Sequence, residues 1–191
     1  MTKIASKPFV LIALLLALCC QACQPEQIGS GVKSQPEQID SGAQDQIDIY
    51  QAVVRRLCGA DDTFGGTLDK PVVYIIRATN DAAGDPFLQG SASLILSEVV
   101  QQGLSTALSD MSSEIVWVDR LDDVARNPLT REALDHGVTI TLGNITYEGT
   151  RARVAGSIYI ANMAAAGKTY VLDHSSGVWV IIGTTGSEWI S

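Results

Sequence analysis

The last third of the chain, residues 137–191, alternates apolar and polar side chains in short runs separated by turn residues. Val138, Ile140 and Leu142 are each separated by a single threonine. Later runs follow at Val154 to Ile160, Tyr170 to Leu172, and Val178, Val180 and Ile182. A period of two, interrupted by Gly and Asp, is typical of antiparallel strands joined by hairpins. The sequence therefore predicts an antiparallel β-meander, and earlier segments must cover its apolar face.

Three short segments are predicted to be turns of this meander: Glu148-Gly149, residues 164–167 and residues 174–177. Gly183 to Gly186 is predicted to bulge the last strand, so that Trp189 folds back onto the sheet. Trp179 and Trp189 are expected in the core, because large aromatic side chains contribute most to burial. A ligand platform made by these two indoles is the alternative.

Helical spacing of apolar residues predicts a first helix over 45–57, and Ser97 is a candidate cap for a second. Nearly continuous apolar runs predict strands at 72–77 and 114–118, with a third short helical segment after Asp119. The fold class is therefore α+β, in which two or three helices cover the C-terminal meander. Residues 47–191 are a suitable length for one such domain.

The chain begins with Lys3 and Lys7, followed by an apolar run from Phe9 to Leu18. A helix of about ten residues rises only about 15 Å, which is half of a bilayer core. A positive segment before a short apolar run is typical of an export signal, here residues 1–22.

Cysteines at positions 19, 20 and 23 follow this run, and the small residue Ala22 precedes Cys23. The segment resembles a bacterial lipoprotein precursor, although Cys20 stands where leucine is usual. The resemblance implies cleavage before Cys23, palmitate or a similar acyl group on its sulfur, and attachment to the cell envelope membrane. If the source is Gram-negative, Gln24 implies the outer membrane. The alternatives are lipidation at Cys20, and a secreted protein that carries no lipid.

Residues 23–46 are rich in Gln, Pro, Glu, Ser and Gly and contain two octapeptides, at 24–31 and 35–42, that differ only at their sixth residue. Such a polar composition offers too little apolar surface to offset the entropy cost of ordering, and it predicts a flexible tether. A tandem peptide-binding motif is the alternative.

Charge and cysteine content narrow the function. Beyond the leader the chain has 11 basic and 21 acidic residues, a net charge of −10, which disfavours binding to nucleic acid. Cys58 is the only cysteine after residue 23, so no disulfide framework is expected in the domain, and a buried structural role is predicted for it. Asp61, Asp62 and Asp69 lack the spacing of a calcium loop, and their segment is predicted to be a solvated turn.

The sequence has no phosphate-binding glycine loop, nucleophile elbow or metal-spaced histidine pair. The two histidines, His136 and His174, are therefore interpreted as surface residues. No catalytic residue, metal or cofactor is assigned, and the residues that would bind a ligand cannot be named from the sequence.

The C-terminal motifs resemble those of an uncharacterised group of exported bacterial proteins. They are Gly167-Lys-Thr-Tyr170, Gly177-Val-Trp179, Gly183-Thr-Thr-Gly186 and Trp189-Ile-Ser191. This resemblance implies a shared fold and no activity. The order of helices and strands is also similar to the cone-shaped fold of nuclear transport factor 2 and ketosteroid isomerase.

Two functions follow. The first is a non-catalytic, membrane-anchored lipoprotein whose domain binds an envelope protein or a small ligand. The second is a small isomerase- or hydrolase-like enzyme with a pocket between helix and sheet that holds Tyr74 or Asp119.

Overall fold

The computed structural model describes residues 41–88 and 92–191, and residues 38–191 form a compact unit. The predicted signal peptide and residues 23–40 of the predicted tether lie outside the described residues. The helices are α1 (Ser41–Cys58) and α2 (Glu98–Ala107), with short 3₁₀ turns at Asp81–Ala83 and Leu121–Asp123. The strands are β1 (Val72–Ile76), β2 (Glu114–Val118), β3 (Val138–Leu142), β4 (Thr146–Glu148), β5 (Arg151–Ala161), β6 (Ala164–Asp173) and β7 (Val180–Ile190).

The seven strands of the described residues form one sheet in the order β2-β1-β3-β5-β6-β7, with β4 paired to β5. β1 lies between β2 and β3 and runs parallel to both. From β3 onward every pair is antiparallel, through β5 and β6 to β7. The α+β class and the C-terminal meander are thus confirmed. The parallel part adds two strands, β1 and β2, whose position beside β3 the alternation pattern alone did not predict.

Helix α1 carries the predicted apolar stripe, and Ile49, Val53 and Leu57 are fully buried against the sheet. It begins at Ser41, four residues before the predicted start. The side-chain amide of Gln44 donates a hydrogen bond of 2.8 Å to Asp48, and such i,i+4 pairs stabilise helical turns. Residues 41–46, assigned to the tether from composition, therefore belong to the helix.

Helix α2 begins where the sequence predicts. The Ser97 hydroxyl accepts the Val100 N–H at 3.3 Å, and Val100 and Leu104 are buried. The two helices approach closely at Gly103, where a Cβ would lie 2.2 Å from Cδ1 of Ile47. A side chain at position 103 would therefore require the end of the Ile47 side chain to shift.

The segment after β2 covers the other face of the parallel strands. Val118, Val124 and Ala133 form a second small core there. The Arg126 guanidinium lies over the Tyr159 ring, 4.8 Å from its centroid, and donates to the Thr139 hydroxyl. The third helical segment is a single 3₁₀ turn at Leu121–Asp123.

The predicted turn at residues 164–167 is wrong, because β6 begins at Ala164 and the chain reverses at residues 162–163. A Cβ on Gly167 would lie 2.0 Å from the Ala83 carbonyl oxygen and 2.4 Å from the indole nitrogen of Trp189. The glycine at position 167 is needed where the Ala83 segment crosses the sheet, so it reflects close packing and not a chain reversal. The bulge predicted near Gly186 is confirmed, since the β6–β7 register shifts between Gly167 and Thr169.

Candidate functional site at the β7 edge

The side chains of residues 178–182, at the start of β7, face the opposite sides of the sheet from those that the alternation predicts. Val178, Val180 and Ile182, the alternating apolar positions of the sequence, are 60%, 49% and 54% exposed. Trp179 and Ile181 instead pack against the helix-covered core. All five residues from 178 to 182 are apolar, so the periodicity cannot determine which set is buried.

The contacts of Trp179 determine which of these residues are buried. Its indole N–H donates to the Asp45 carboxylate of α1 at 3.2 Å, and its ring stacks on His174 with centroids 4.8 Å apart. Gly177 has φ 84°, a left-handed conformation that glycine adopts without strain, and it ends the hairpin just before this residue. Because Trp179 is drawn toward α1, its neighbours Val178 and Val180 point away from the helices.

β7 is also the last strand of the sheet, and within residues 41–88 and 92–191 no strand pairs with its outer edge. It is 11 residues long, and Glu188 is its only charged residue. Natural edge strands are usually short or carry several charges that prevent pairing with other chains. β7 has register irregularities but few charges, so its first half presents an apolar surface beside free backbone groups.

A pocket of about 310 Å³ adjoins this edge on the helix side of the sheet. Its walls are the end of α1, strand β6 and strand β7. Ile181 and Ile182 both contribute to its apolar part, because the β6–β7 register shifts beside them and interrupts the alternation of faces. The polar part is a network centred on Asp61. The Asp61 carboxylate accepts hydrogen bonds from the Arg56 Nε–H at 2.9 Å and the Tyr170 hydroxyl at 3.0 Å.

Lys168 extends this network toward β7. Its ammonium lies 3.5 Å from Asp61 and 3.6 Å from Glu188, and the Thr184 hydroxyl donates to Glu188 at 2.6 Å. Burial acts to raise the pKa of Asp61, but Arg56, Tyr170 and Lys168 together hold that pKa below its ordinary value. Burial beside Asp61 raises the pKa of Tyr170. The pocket therefore holds two cations and two carboxylates, fixed in position and balanced in charge.

The two histidines have different surroundings. His174 is the residue stacked on Trp179, and His136 is an exposed residue whose Nδ1 lies 2.9 Å from Glu132. Within the described residues, neither histidine contacts a nucleophilic side chain. No group of three or more His, Cys, Asp or Glu side chains in the described ranges is arranged to hold a metal ion.

The remaining candidate residues are separated by the sheet. Tyr74 lies on the face opposite the helices, and its hydroxyl donates to Asp135, which raises the pKa of Tyr74 to about 12. Asp119 is an exposed partner of Arg77, at 2.8 Å. Cys58 is a free, half-buried thiol, and burial raises its pKa to about 11. Cys23 and Cys20 lie outside the described residues.

One ion pair was not anticipated from the sequence. Asp62, predicted to lie in a solvated turn, is fully buried and contacts the buried ammonium of Lys70 at 2.6 Å. Its other carboxylate oxygen accepts the N–H groups of Phe64 and Gly66, both at 2.8 Å. The loop after α1 is thus closed by a charge pair. A signal for it exists in the sequence only as two opposite charges eight residues apart.

Comparisons with protein-family models, with curated proteins and with solved structures found no match. In the part of the chain that the structure describes, no helix combines the length and apolarity needed to cross a bilayer. The β7 edge and its pocket are therefore the candidate functional site.

Proposed function

We propose that this protein is a lipid-anchored envelope protein whose domain binds an extended segment of a partner protein along β7. The observation that carries the proposal is that the side chains of Val178, Val180 and Ile182 are exposed at the start of an edge strand of 11 residues. A strand that is apolar on both sides of its chain is typical of one that is covered on both sides. Helix α1 covers one side. On the other side, alternate side chains of an added strand would lie next to Val180 and Ile182 as cross-strand neighbours.

Strand addition uses two kinds of contact that are both available here. Main-chain hydrogen bonds to the free edge supply affinity, and pockets for alternate side chains supply specificity. The pocket beside Ile181 and Ile182 is large enough for one partner side chain, and Asp61 and Lys168 at its floor favour a polar end on that side chain.

The cone-fold enzyme is the alternative, and the described residues favour it less. Ile49, Val53 and Leu104 are fully buried between the helices and the sheet, where an enzyme pocket would lie. Tyr74, Asp119 and the histidines belong to separate surroundings. The likeness to the uncharacterised exported group stays a prediction from its C-terminal motifs.

The docking site is tested in the producing cell by placing a photo-crosslinking residue at position 180 of the full-length chain. We expect one discrete adduct with another protein, and its loss when Ile182→Lys is added. The matched control carries the crosslinker at Met163, which is 90% exposed on the β5–β6 turn. Adducts of equal yield from both positions, or adducts with a second copy of this chain alone, would contradict the proposal.

The anchor is tested separately by intact mass spectrometry of the chain extracted from membranes. We expect an acylated chain that begins at Cys23 and that disappears in Cys23→Ala. Cys20→Ala is the matched control, and it is expected to leave the acylated chain unchanged. An unmodified chain recovered from the culture medium would overturn the anchor without affecting the docking site.

A further inference from the structure

The start of α1, which carries Asp45 and Asp48, adjoins a pocket with an uncharged lining that lies apart from the pocket beside β7. A second pocket of about 300 Å³ opens there, lined by Gln46 and Tyr50 of α1 and by Leu94, Ile95 and Tyr147. None of the ten side chains that line this pocket is charged. The domain as a whole has an excess of acidic residues, so this uncharged lining differs from the average of its surface.

Three of these side chains project into solvent. Leu94 is 59% exposed, Ile95 is 70% exposed and Tyr147 is 48% exposed. Tyr147 contacts Trp179 edge-on, with ring centroids 6.1 Å apart, so the aromatic surface continues from the pocket to the residue that binds Asp45. Exposed aliphatic residues beside Tyr and Trp are the side chains that membrane–water interfaces favour.

We propose that this end of the domain, defined by Leu94, Ile95 and Tyr147 and called here the entry face, rests on the lipid bilayer. The inference depends on the proposed lipid anchor. The chain enters the domain at this face, because Gln46 in the first turns of α1 lines the pocket and Asp45 contacts the Trp179 indole. Ser41, where α1 begins, is 18 residues after Cys23.

Because the connection to the anchor is short, even a weak contact between the entry face and the bilayer is enough to orient the domain. A tether of the composition predicted for residues 23–40 has an r.m.s. reach of about 20–25 Å. Tethering at that distance gives the entry face an effective concentration on the order of millimolar at the bilayer. The absence of charged lining side chains matches neutral lipid headgroups, so the contact does not require anionic lipid.

This orientation leaves the pocket near Asp61 accessible, whereas Val180 pairs with Asp173 at the same end of the sheet as Tyr147. Strand β5 runs from the turn beside Tyr147 to the turn that carries Met163, a span of about 35 Å for its 11 residues. β7 lies along the side of the domain between those two ends, so a bilayer beneath the entry face need not cover the pocket near Asp61.

The test uses phosphatidylcholine vesicles with brominated acyl chains, which quench tryptophan fluorescence. The chain from Cys23 to Ser191 is coupled through Cys23 to a maleimide-bearing lipid, with Cys58→Ala to exclude a second reaction. Attachment is checked by flotation. Failure of acylation in the cell therefore does not prevent this measurement, and the two ideas can fail independently.

Ile95→Trp is expected to add strong bromine quenching, whereas Met163→Trp at the opposite end is expected to add none. Leu94→Ser combined with Ile95→Ser is expected to remove most of the quenching of the original tryptophans, with an unchanged circular dichroism spectrum. Equal quenching at positions 95 and 163, or none at either in a chain that floats with the vesicles, would overturn the proposal. Quenching that requires anionic lipid would overturn it as well.

Discussion

The indole N–H of Trp179 donates to the Asp45 carboxylate at 3.2 Å, across 134 residues of sequence. This contact joins the residue before β7 to the first turns of α1. It determines which apolar residues of the last strand face outward, and it places the aromatic surface where the chain enters the domain. A hydrogen bond to a charged acceptor is stronger than a neutral one, which suits this role.

Trp179→Phe should therefore destabilise the domain while retaining most of the ring contacts. We expect a loss of about 1.5–3 kcal/mol, the range for a hydrogen bond to a charged group. Urea denaturation followed by circular dichroism measures the loss. Asp45→Asn is the matched control, because its side-chain oxygen still accepts the indole proton, and a smaller loss is expected. If both variants lose the same stability, the hydrogen bond is not what orients Trp179.

The buried pair of Asp62 and Lys70 gives a second prediction. Lys70→Met leaves the Asp62 carboxylate buried with only its two backbone donors, and we expect a loss of about 3–5 kcal/mol, as for other broken buried pairs. Asp62→Asn combined with Lys70→Met removes both charges at nearly constant volume. The double variant should be more stable than Lys70→Met alone in the same urea titration. A double variant that is no more stable than Lys70→Met alone would contradict this.

Acid sensitivity follows from the same carboxylate. Burial acts to raise the pKa of Asp62, but the Gly66 N–H, Lys70 and the Phe64 N–H outweigh burial and hold that pKa below its ordinary value. A group whose pKa is lower in the folded state contributes stability above its unfolded pKa, about 3.9 for Asp. That contribution is lost as the pH falls through the folded pKa.

The free energy of unfolding is therefore expected to fall between pH 5 and pH 2, a window placed about the ordinary Asp pKa of roughly 3.9. Asp61 contributes in the same direction, because its pKa is lowered as well. Urea midpoints at a series of pH values measure the slope. The double variant Asp62→Asn with Lys70→Met should show a shallower slope than the original chain, and an unchanged slope would assign the acid sensitivity to other groups.

The structure also shows what sequence reasoning can and cannot reach here. The buried face of α1 and the cap at Ser97 were predictable, because helical spacing and capping are local properties. Which of the side chains at 178–182 are buried was not predictable. Five consecutive apolar residues fit either face, and the long-range contact of Trp179 decides between them. The same uninterrupted run was nevertheless the available signal for the β7 site, because a one-sided edge strand would alternate.

The expectation that both tryptophans lie in the core fails for a related reason. Trp179 and Trp189 are half-buried, and only Trp179 packs against the main core. The Trp189 indole donates to the Ala83 carbonyl at 2.9 Å on the opposite face of the sheet. Composition indicates how much a large aromatic side chain can bury, but the bulge near Gly186 determines where Trp189 lies.

The thiol of Cys58 should react slowly. Burial raises its pKa to about 11, so at pH 8 only about one molecule in a thousand carries the nucleophilic thiolate. Modification by a disulfide reagent should accelerate about tenfold for each pH unit up to pH 10. The measurement needs a chain whose other three cysteines are replaced by Ala, with the same chain unfolded in urea as the fast control. Rapid modification of the folded chain at pH 7 would show that the loop after α1 opens readily.

Gly167→Ala should destabilise the domain, because the added methyl group meets backbone. The added Cβ would lie 2.0 Å from the Ala83 carbonyl oxygen and 2.4 Å from the Trp189 indole nitrogen, so backbone as well as side chain must move. Overpacking of this kind typically costs about 1–3 kcal/mol, and a clash with backbone lies at the upper end of that range.

Gly183→Ala is the matched control in the neighbouring strand. Nothing lies within 4 Å of its Cβ position, and we expect a change within about 0.5 kcal/mol in the same thermal or urea measurement. Adding Trp189→Ala to Gly167→Ala removes one of the two obstacles and should restore little stability. Full recovery in that double variant would mean that the indole, and not the Ala83 segment crossing the sheet, is what requires a glycine at position 167.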